Sequence, residues 1–405
     1  MIFLMPLAVV FGALPALLQG AELQRADIGE AWVRHTIDAS SRGADGVRLA
    51  DVNGDGHPDI ATPWEEGGVV RAYLNPGPEH VAGPWLAVTV GTVSDAEDAV
   101  FVDVDADGAI DVVSCCEGAT KRMWVHWAPK DAAEYLNADA WETAVLPASQ
   151  GAAKWMFCLP ISADAKNGVD LVAGAKGEGA QVGWFEAPEH PRDLADWTWH
   201  PICPVGWVMS LVARDMDGNG RIDVVVSDRK GPGRGCFWLE CPGPARASSP
   251  WIRRRIGAAD KEVMFLALAD LDRDRVIDVL VATCGPELVY LPGGNGPGRA
   301  IALPKVAGTG KSVAVGDVDL DGQLDVVFSC EHAEGRSGVM WLSRTTVNGD
   351  VPWRAHDVSG PEGAKFDLVQ LHDLDTDGDP DVITCEEREG LGIVWYENPT
   401  RQPGP

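Results

Sequence analysis

The sequence predicts an all-β chain folded as a seven-bladed β-propeller, and three observations lead to this prediction. The 405 residues include 46 Gly and 28 Pro, and short apolar runs recur regularly, which is typical of many short strands joined by turns. An acidic loop of fixed spacing recurs seven times, and tryptophan-containing strands alternate with it in constant order. Seven units of about four strands form one domain, because a single blade cannot bury both of its faces.

The acidic loops carry carboxylate or amide side chains at positions 1, 3, 5 and 9, usually with Gly at position 6, as in the loop from Asp373 to Asp381. Such a loop can place several oxygens around a hard cation, and calcium is the ion that we expect it to bind. We expect about six structural calcium sites. Their expected side-chain ligands are Asp51, Asn53, Asp55 and Asp59; Asp103, Asp105, Asp107 and Asp111; Asp215, Asp217, Asn219 and Asp223; Asp270, Asp272, Asp274 and Asp278; Asp317, Asp319, Asp321 and Asp325; and Asp373, Asp375, Asp377 and Asp381.

Two copies of the loop depart from the pattern. The third loop keeps Asp164 at position 3 but has Ser162 and Lys166 at positions 1 and 5, so two carboxylates are missing. We expect no metal there. The fifth has Arg275 in place of the turn glycine. An EF-hand is excluded, because a strand sequence, Val-Ile-Thr, follows Asp381 where an EF-hand needs a further ligand and a helix.

Each repeat contains strands in a fixed order. An apolar strand enters the acidic loop and a second leaves it, a third resembles the run from Gly392 to Pro399, and a Trp-led strand comes outermost. The chain begins with a Trp-led strand and ends after a third strand. We therefore expect residues 31–38 to complete the blade formed by residues 365–397, a one-plus-three closure that removes an open sheet end. The histidines of the Trp-x-x-His strands are expected to be structural.

The loops, the strands that follow them and the Trp-Tyr-Glu-Asn-Pro strand resemble FG-GAP/VCBS repeats, known from integrin α-chain propellers and many secreted bacterial proteins. The resemblance covers nearly all of residues 30–400. It implies a propeller with calcium held by the side chains at loop positions 1, 3, 5 and 9 and by a main-chain oxygen at position 7.

Charge and the N-terminal residues bear on partners and location. The formal net charge of -28 disfavours nucleic acid and anionic membrane surfaces as partners. The apolar stretch from Ile2 to Leu18 is too short and too interrupted by Pro to span a membrane, and small residues follow it. Residues 1–21 are therefore predicted to be a signal peptide, and the protein to be exported to the periplasm or the extracellular space without membrane insertion.

The face opposite the acidic loops carries the candidate ligand site. The connections into the first strands and out of the second strands converge towards the ring axis, and charged and Trp residues are frequent in them. Glu331 and His332 are the acid/base candidates, with Lys365, Arg229 and Lys230 to stabilise an anion. The candidate ligand-binding residues are Trp64, Glu65, Glu66, Trp155, Trp207, Glu386 and Glu387.

Three functions are compatible with the sequence. The first is a ligand-binding or interaction module, for carbohydrate or another polar ligand. The second is a lyase or dehydratase acting on a keto-sugar or a uronate-containing saccharide, because the repeat also resembles the propeller part of aldos-2-ulose dehydratase, although no counterpart of that enzyme's cupin-type part is present. The third is a scaffold that binds another protein. A lyase needs His332 in a deep axial pocket, a lectin needs repeated Trp-lined pockets, and a scaffold needs an apolar patch.

Overall fold

The computed structural model describes residues 27–294, 297–344 and 352–401. The predicted signal peptide, residues 1–21, lies outside these ranges. None of the described helices has both the length and the apolar character needed to cross a membrane.

Seven sheets of four antiparallel strands each form the propeller blades. In chain order the strands are β1 (Val33–Asp38), β2 (Arg48–Ala50), β3 (Asp59–Trp64), β4 (Val69–Leu74), β5 (Leu86–Gly91), β6 (Ala96–Val102), β7 (Asp111–Cys116), β8 (Arg122–Trp127), β9 (Glu142–Val145), β10 (Lys154–Ile161), β11 (Asp170–Lys176), β12 (Gln181–Glu186), β13 (Thr198–Pro204) and β14 (Val208–Arg214). They continue as β15 (Asp223–Asp228), β16 (Gly235–Glu240), β17 (Ile252–Gly257), β18 (Val263–Ala269), β19 (Asp278–Thr283), β20 (Glu287–Leu291), β21 (Arg299–Ala302), β22 (Thr309–Gly316), β23 (Asp325–Glu331), β24 (Val339–Arg344), β25 (Trp353–Asp357), β26 (Gln370–His372), β27 (Asp381–Glu386) and β28 (Gly392–Glu397).

Blades one to six take four consecutive strands each, beginning with β2, β6, β10, β14, β18 and β22. Between strands lie the short 3-10 helices Ala132–Glu134, Ala138–Ala140, Pro147–Ser149, Leu194–Asp196, Pro244–Arg246 and Pro292–Gly294. The seven-bladed fold predicted from the repeat is therefore confirmed.

The seventh blade closes the ring as the order of strands in the repeat predicts. Its strand order is β26, β27, β28 and then β1, so the first strand of the chain is its outer strand. The pair His35 and Trp395 lie opposite each other in the β1–β28 ladder. Main-chain hydrogen bonds between the two ends of the chain thus complete the last sheet, as a one-plus-three closure requires.

The second strand of each blade forms the inner part of the core. Every residue of β3 and β7 is buried, because these strands lie between two others of their own sheet and against adjacent blades. The rings of Trp64 and Trp155 belong to this core, with exposures of 0% and 2%. Their indole nitrogens donate to the hydroxyl of Tyr73 and to the main-chain oxygen of Ser149, respectively. Both tryptophans therefore lie inside the blades rather than in the funnel where the sequence analysis places them.

Stacked pairs hold the outer strands in place. His200 stacks on Trp184 and His356 stacks on Trp341, with ring centroids 4.7 and 4.0 Å apart. The outer face of each Trp is thereby covered, and these histidines are structural, as expected from their strands.

Candidate functional site

The acidic loops lie on one face of the ring, because each of them connects the first strand of a blade to the second. The position-1 aspartate organises the loop. In the sixth loop, the main-chain N–H of Gly322 donates to Oδ2 of Asp317 over 2.9 Å. In the seventh, Gly378 donates to Oδ2 of Asp373 over 3.1 Å. One carboxylate oxygen thus fixes the turn, which leaves the other available.

The remaining oxygens meet the requirements of a cation site. Oδ1 of Asp270, Asp317 and Asp373 is buried and accepts no hydrogen bond among the described residues. In the fourth loop, carboxylate oxygens of Asp215, Asp217 and Asp223 all lie within 4.8 Å of one another, and three carboxylates of the second and fifth loops are grouped in the same way. Clustered carboxylate oxygens, some of them buried and without a hydrogen bond, fit a hard divalent cation, and the resemblance to FG-GAP repeats implies calcium.

The position-9 aspartates have a second, structural role. Asp381 is 1% exposed and accepts main-chain N–H groups from Leu374 and Asn398 over 2.8 and 2.9 Å. It therefore joins the loop to the end of the third strand of its blade. Burial raises the pKa of Asp381 to about 7, and the neighbouring loop carboxylates add to this rise. A bound cation would favour the ionised form.

The fifth loop keeps its shape without the turn glycine. Arg275 occupies position 6 with a φ of 71°, a left-handed conformation that costs about 1 kcal/mol in a residue with a side chain. Its N–H still donates to Oδ2 of Asp270, over 3.0 Å. The loop therefore keeps its turn despite the departure.

A cavity of about 270 Å³ opens on the opposite face, at the ring axis. Acidic, basic and apolar side chains line it together. They are Asp45, Glu65, Glu97, Glu117, Met156, Phe157, Lys176, Trp207, Met209, Arg229, Phe265, Lys311, Glu331, Lys365 and Asp367. We call this the axial cavity.

Ion pairs satisfy part of the charge in the axial cavity. Lys311 lies 3.0 Å from Oδ2 of Asp367, and both side chains are buried. Although burial opposes the ionisation of Asp367, Lys311 and Lys365 hold its pKa below its usual value. Lys176 pairs with Glu117 and lies 3.7 Å from Glu97. Burial lowers the pKa of Lys176, so its ammonium is incompletely compensated by these carboxylates.

Three carboxyl groups remain crowded in the axial cavity. One oxygen each from Asp45, Glu65 and Glu97 lies within 4.8 Å of the others. Asp45 and Glu65 form no ion pair with any described residue. Burial raises the pKa of Asp45 well above its ordinary value and that of Glu65 to about 7, and neighbouring carboxylates raise both further. This corner of the cavity therefore has too little positive charge to keep all three groups ionised.

The comparisons with known proteins agree with the repeat. The model of the FG-GAP-like repeat family matches residues 51–114 and 269–328. The chain contains FG-GAP-like repeats within a seven-bladed β-propeller. No curated protein matches it in a sequence comparison.

Solved structures share the fold of this FG-GAP propeller. Two are crystal structures of BBS1N in complex with ARL6DN, one soaked with lead and the other with mercury. Their TM-scores are 0.53 and 0.52 at 10% and 11% identity. The matches cover 91% of this chain and 98% and 97% of the matched chains. At such low sequence identities the similarity shows a shared fold and nothing more.

Several residues singled out from the sequence do meet in the axial cavity of the FG-GAP propeller. Glu331, Lys365, Arg229, Trp207 and Glu65 line it. Glu387 pairs with Lys365 at its edge.

Other candidate residues lie elsewhere. The side chain of His332 is 64% exposed and does not line the cavity, and its Nδ1 lies 3.9 Å from Oε1 of Glu331. Glu66 and Lys230 are exposed on the same face. Glu386 is buried and accepts main-chain N–H groups, among them those of Lys365 and Glu389. Glu386 therefore shapes the loop and leaves no free oxygen for a ligand.

Asp45, Glu97, Lys311 and Asp367 are cavity residues that the motif search missed. Each lies six residues before position 1 of its acidic loop. In the third and fourth blades the same repeat position holds the cavity residues Met156 and Met209. Aligning the repeats on their loops and comparing this position would have found the whole set.

Proposed function

We propose that this FG-GAP propeller is an interaction module for a protein partner, and that its axial cavity holds a lysine or arginine side chain of that partner. The observation that carries the proposal is the division of the cavity into two walls. Asp45, Glu97 and Asp367 contribute carboxyl groups on one side, while Met156 and Met209 are apolar on the other. A lysine or arginine side chain matches these two walls, because its alkyl stem is apolar and its head is positively charged.

The charge of the axial cavity favours a cation over an anion. Six carboxyl groups and four cationic groups line it, and the crowded carboxyls Asp45 and Glu65 have raised pKa values because burial destabilises their ionised forms. An ammonium or guanidinium group placed among them would compensate their charge and donate to their oxygens. An anion would add to the repulsion.

The similarity in fold and the weaker support for the other candidate functions favour a protein as the partner. BBS1N, whose fold is similar, was crystallised in complex with another protein, ARL6DN. Carbohydrate binding has little support, because the ring of Trp207 already has Lys176, Arg229 and Lys230 within 4.4, 4.5 and 4.8 Å of its centroid. A lyase has less support, because Glu331 lines the axial cavity but its acid/base partner His332 lies outside it.

Calcium and export complete the proposal. The acidic loops would hold structural calcium on the face away from the axial cavity, with the side chains at positions 1, 3, 5 and 9 as ligands. An exported protein meets calcium at the millimolar concentrations that such loops need.

Binding of short peptides tests the proposal. Peptides with a central Lys or Arg, and matched peptides with norleucine in its place, are titrated into the protein in calcium-containing buffer. We expect the cationic peptides to bind and the norleucine peptides to bind at least about tenfold more weakly, because a buried charge pair is lost. Glu97→Gln should weaken binding of the cationic peptides similarly, while Glu66→Gln, on the same face but exposed, should not.

The same titrations identify the alternatives. Equal binding of cationic and norleucine peptides would overturn the proposal. Zinc or further calcium binding that depends on Glu97, with no peptide binding, would make the axial cavity a metal centre instead. A rise in ultraviolet absorbance with keto-sugars or uronate polymers, abolished by a change of Glu331 or Lys365, would make it a lyase site.

A further inference from the structure

A second recess lies away from the axial cavity, between blades four and five on the side of the acidic loops. It has a volume of about 310 Å³. Two loops, the third strand and the outer strand contribute to it. Its lining residues are Met216, Trp238, Arg254, Arg255, Ile256, Val276, Ile277 and Gly293. We call it the blade four groove.

Blade four lacks the stacked His–Trp pair that blades three, six and seven have. Trp341 and Trp238 hold the same place in their blades, opposite His356 and Arg254, respectively. His356 stacks flat on Trp341, which is 7% exposed. Arg254 instead turns to Glu240, 2.8 Å away. Trp238 is therefore only half-buried, and its ring contributes an apolar surface to the groove.

Exposed apolar side chains are also frequent in blades four and five. Val276, at position 7 of the fifth loop, is 48% exposed, and Ile222, at position 8 of the fourth, is 47% exposed. Ile252 at the start of β17 is 49% exposed. Few large apolar side chains of the described residues are so exposed, and these three belong to two consecutive blades. Such clustering is typical of an interaction surface.

The outer strand at the groove is basic although the chain as a whole is acidic. The net charge is -28, yet β17 contains three consecutive arginines, of which Arg254 and Arg255 line the groove. Arg255 is exposed and pairs with no carboxylate of the described residues, and the same holds for Arg275, which precedes Val276. Arg255 lines the recess and Arg275 is the chain neighbour of its lining residue Val276, so both are available to carboxylates of another molecule.

We infer that the blade four groove docks an acidic peptide segment of a protein partner, with one of its apolar side chains against Trp238 and Val276 and its carboxylates at Arg255 and Arg275. Charge complementarity selects this occupant. A second copy of this acidic chain would present the same net charge, and a basic segment would meet the arginines. The inference rests on the proposed function only in treating the chain as an interaction module, because the groove and the axial cavity share no lining residue.

Fluorescence anisotropy with a labelled synthetic peptide, in which Leu and Phe alternate with Glu, tests the inference. Calcium is present throughout, because the fourth and fifth acidic loops border the groove and their carboxylates would otherwise repel the peptide. We expect binding to weaken at least about tenfold when Gln replaces Glu in the peptide. Arg255→Glu should weaken it as much, and Val276→Asp, at an exposed position, should do so without affecting the fold.

The matched control is Arg42→Glu, which makes the same change of charge at a position outside the groove. It should leave the dissociation constant unchanged within about twofold. Equal effects of Arg42→Glu and Arg255→Glu would mean non-specific attraction and would overturn the inference, as would unaltered binding by Arg255→Glu. The axial-cavity variant Glu97→Gln should leave this peptide's binding intact, so failure here is distinguishable from failure of the proposed function.

Discussion

The ammonium of Lys166 lies 2.8 Å from Oδ2 of Asp164 in the third loop, whose pattern had lost two carboxylates. The same ammonium lies 3.7 Å from Glu186, on the third strand of that blade. Lys166 occupies position 5, where the other loops have Asp or Asn. The ammonium of Lys166 thus compensates the charge of a loop carboxylate, which a metal ion would do in the other loops.

This relationship predicts that metal binding can be restored to the third loop. The double change Ser162→Asp and Lys166→Asp recreates carboxylates at positions 1, 3, 5 and 9, because Asp164 and Asp170 are already present. We expect the variant to bind one more equivalent of calcium than the wild type, measured by calorimetric titration after chelation. The single change Lys166→Ala should add none. An unchanged stoichiometry in the double variant would contradict the ligand assignment.

Removal of calcium is expected to destabilise the propeller. Carboxylates a few ångströms apart repel by roughly 4 kcal/mol per pair at an effective dielectric near 20, before screening. EDTA should therefore lower the melting temperature markedly, and Asp317→Ala or Asp373→Ala should each produce part of that decrease. Asp139→Ala, at an exposed position far from the loops in sequence, is the control. A melting curve that chelation leaves unaltered would show that the loops do not need metal.

A buried histidine predicts how stability changes in acid. His126 lies between the hydroxyls of Ser114 and Thr143, each 2.9 Å from a ring nitrogen, and burial lowers its pKa to about 3. Protonation therefore favours the unfolded chain. The stability that His126 contributes is complete above its unfolded pKa of 6.5 and is lost as the pH falls from there towards 3.

The measurement compares the wild type with His126→Gln by urea unfolding between pH 7 and 4. The difference between their free energies of unfolding should shrink by up to about 1.4 kcal/mol per pH unit below pH 6.5. His80→Gln changes an exposed histidine and should show no such trend. A pH-independent difference for His126→Gln would mean that His126 can ionise in the folded protein.

The stacked pairs predict which outer-strand changes are tolerated. His356→Ala removes the ring that covers Trp341 and the hydrogen bond to Ser343, so we expect it to cost about 1–2 kcal/mol of stability. His356→Phe keeps an aromatic ring beside Trp341 and loses only the hydrogen bond, so it should cost less. Thermal or urea unfolding measures both. Equal losses would show that stacking on the tryptophan contributes little to stability.

The sequence determined the number of blades, their order and the closure of the ring. Six blades are encoded by contiguous residues in which strand, acidic loop and strand signals follow one another, and the order of strands within the repeat indicates how the seventh is completed. Position 9 illustrates this. Asp170 persists in the third loop although other ligands are lost, because it also accepts N–H groups from Ala163 and Ala187. Position 9 thus has a structural role, whereas the sequence analysis gave it only a role in metal binding.

Only the tertiary structure decided which residues form the axial cavity. Asp45, Glu97 and Asp367 come from different blades and meet because the ring closes, which no local pattern reveals. Side chains of residues adjacent in sequence can point in different directions. Glu331 is the last residue of β23 and lines the cavity, whereas His332 adopts a φ of 55° and is exposed. Trp64 precedes Glu65, yet its side chain enters the core while Glu65 lines the cavity. Side chains alternate along a strand, and a single left-handed residue redirects the chain, so the cavity depends on backbone geometry rather than on composition.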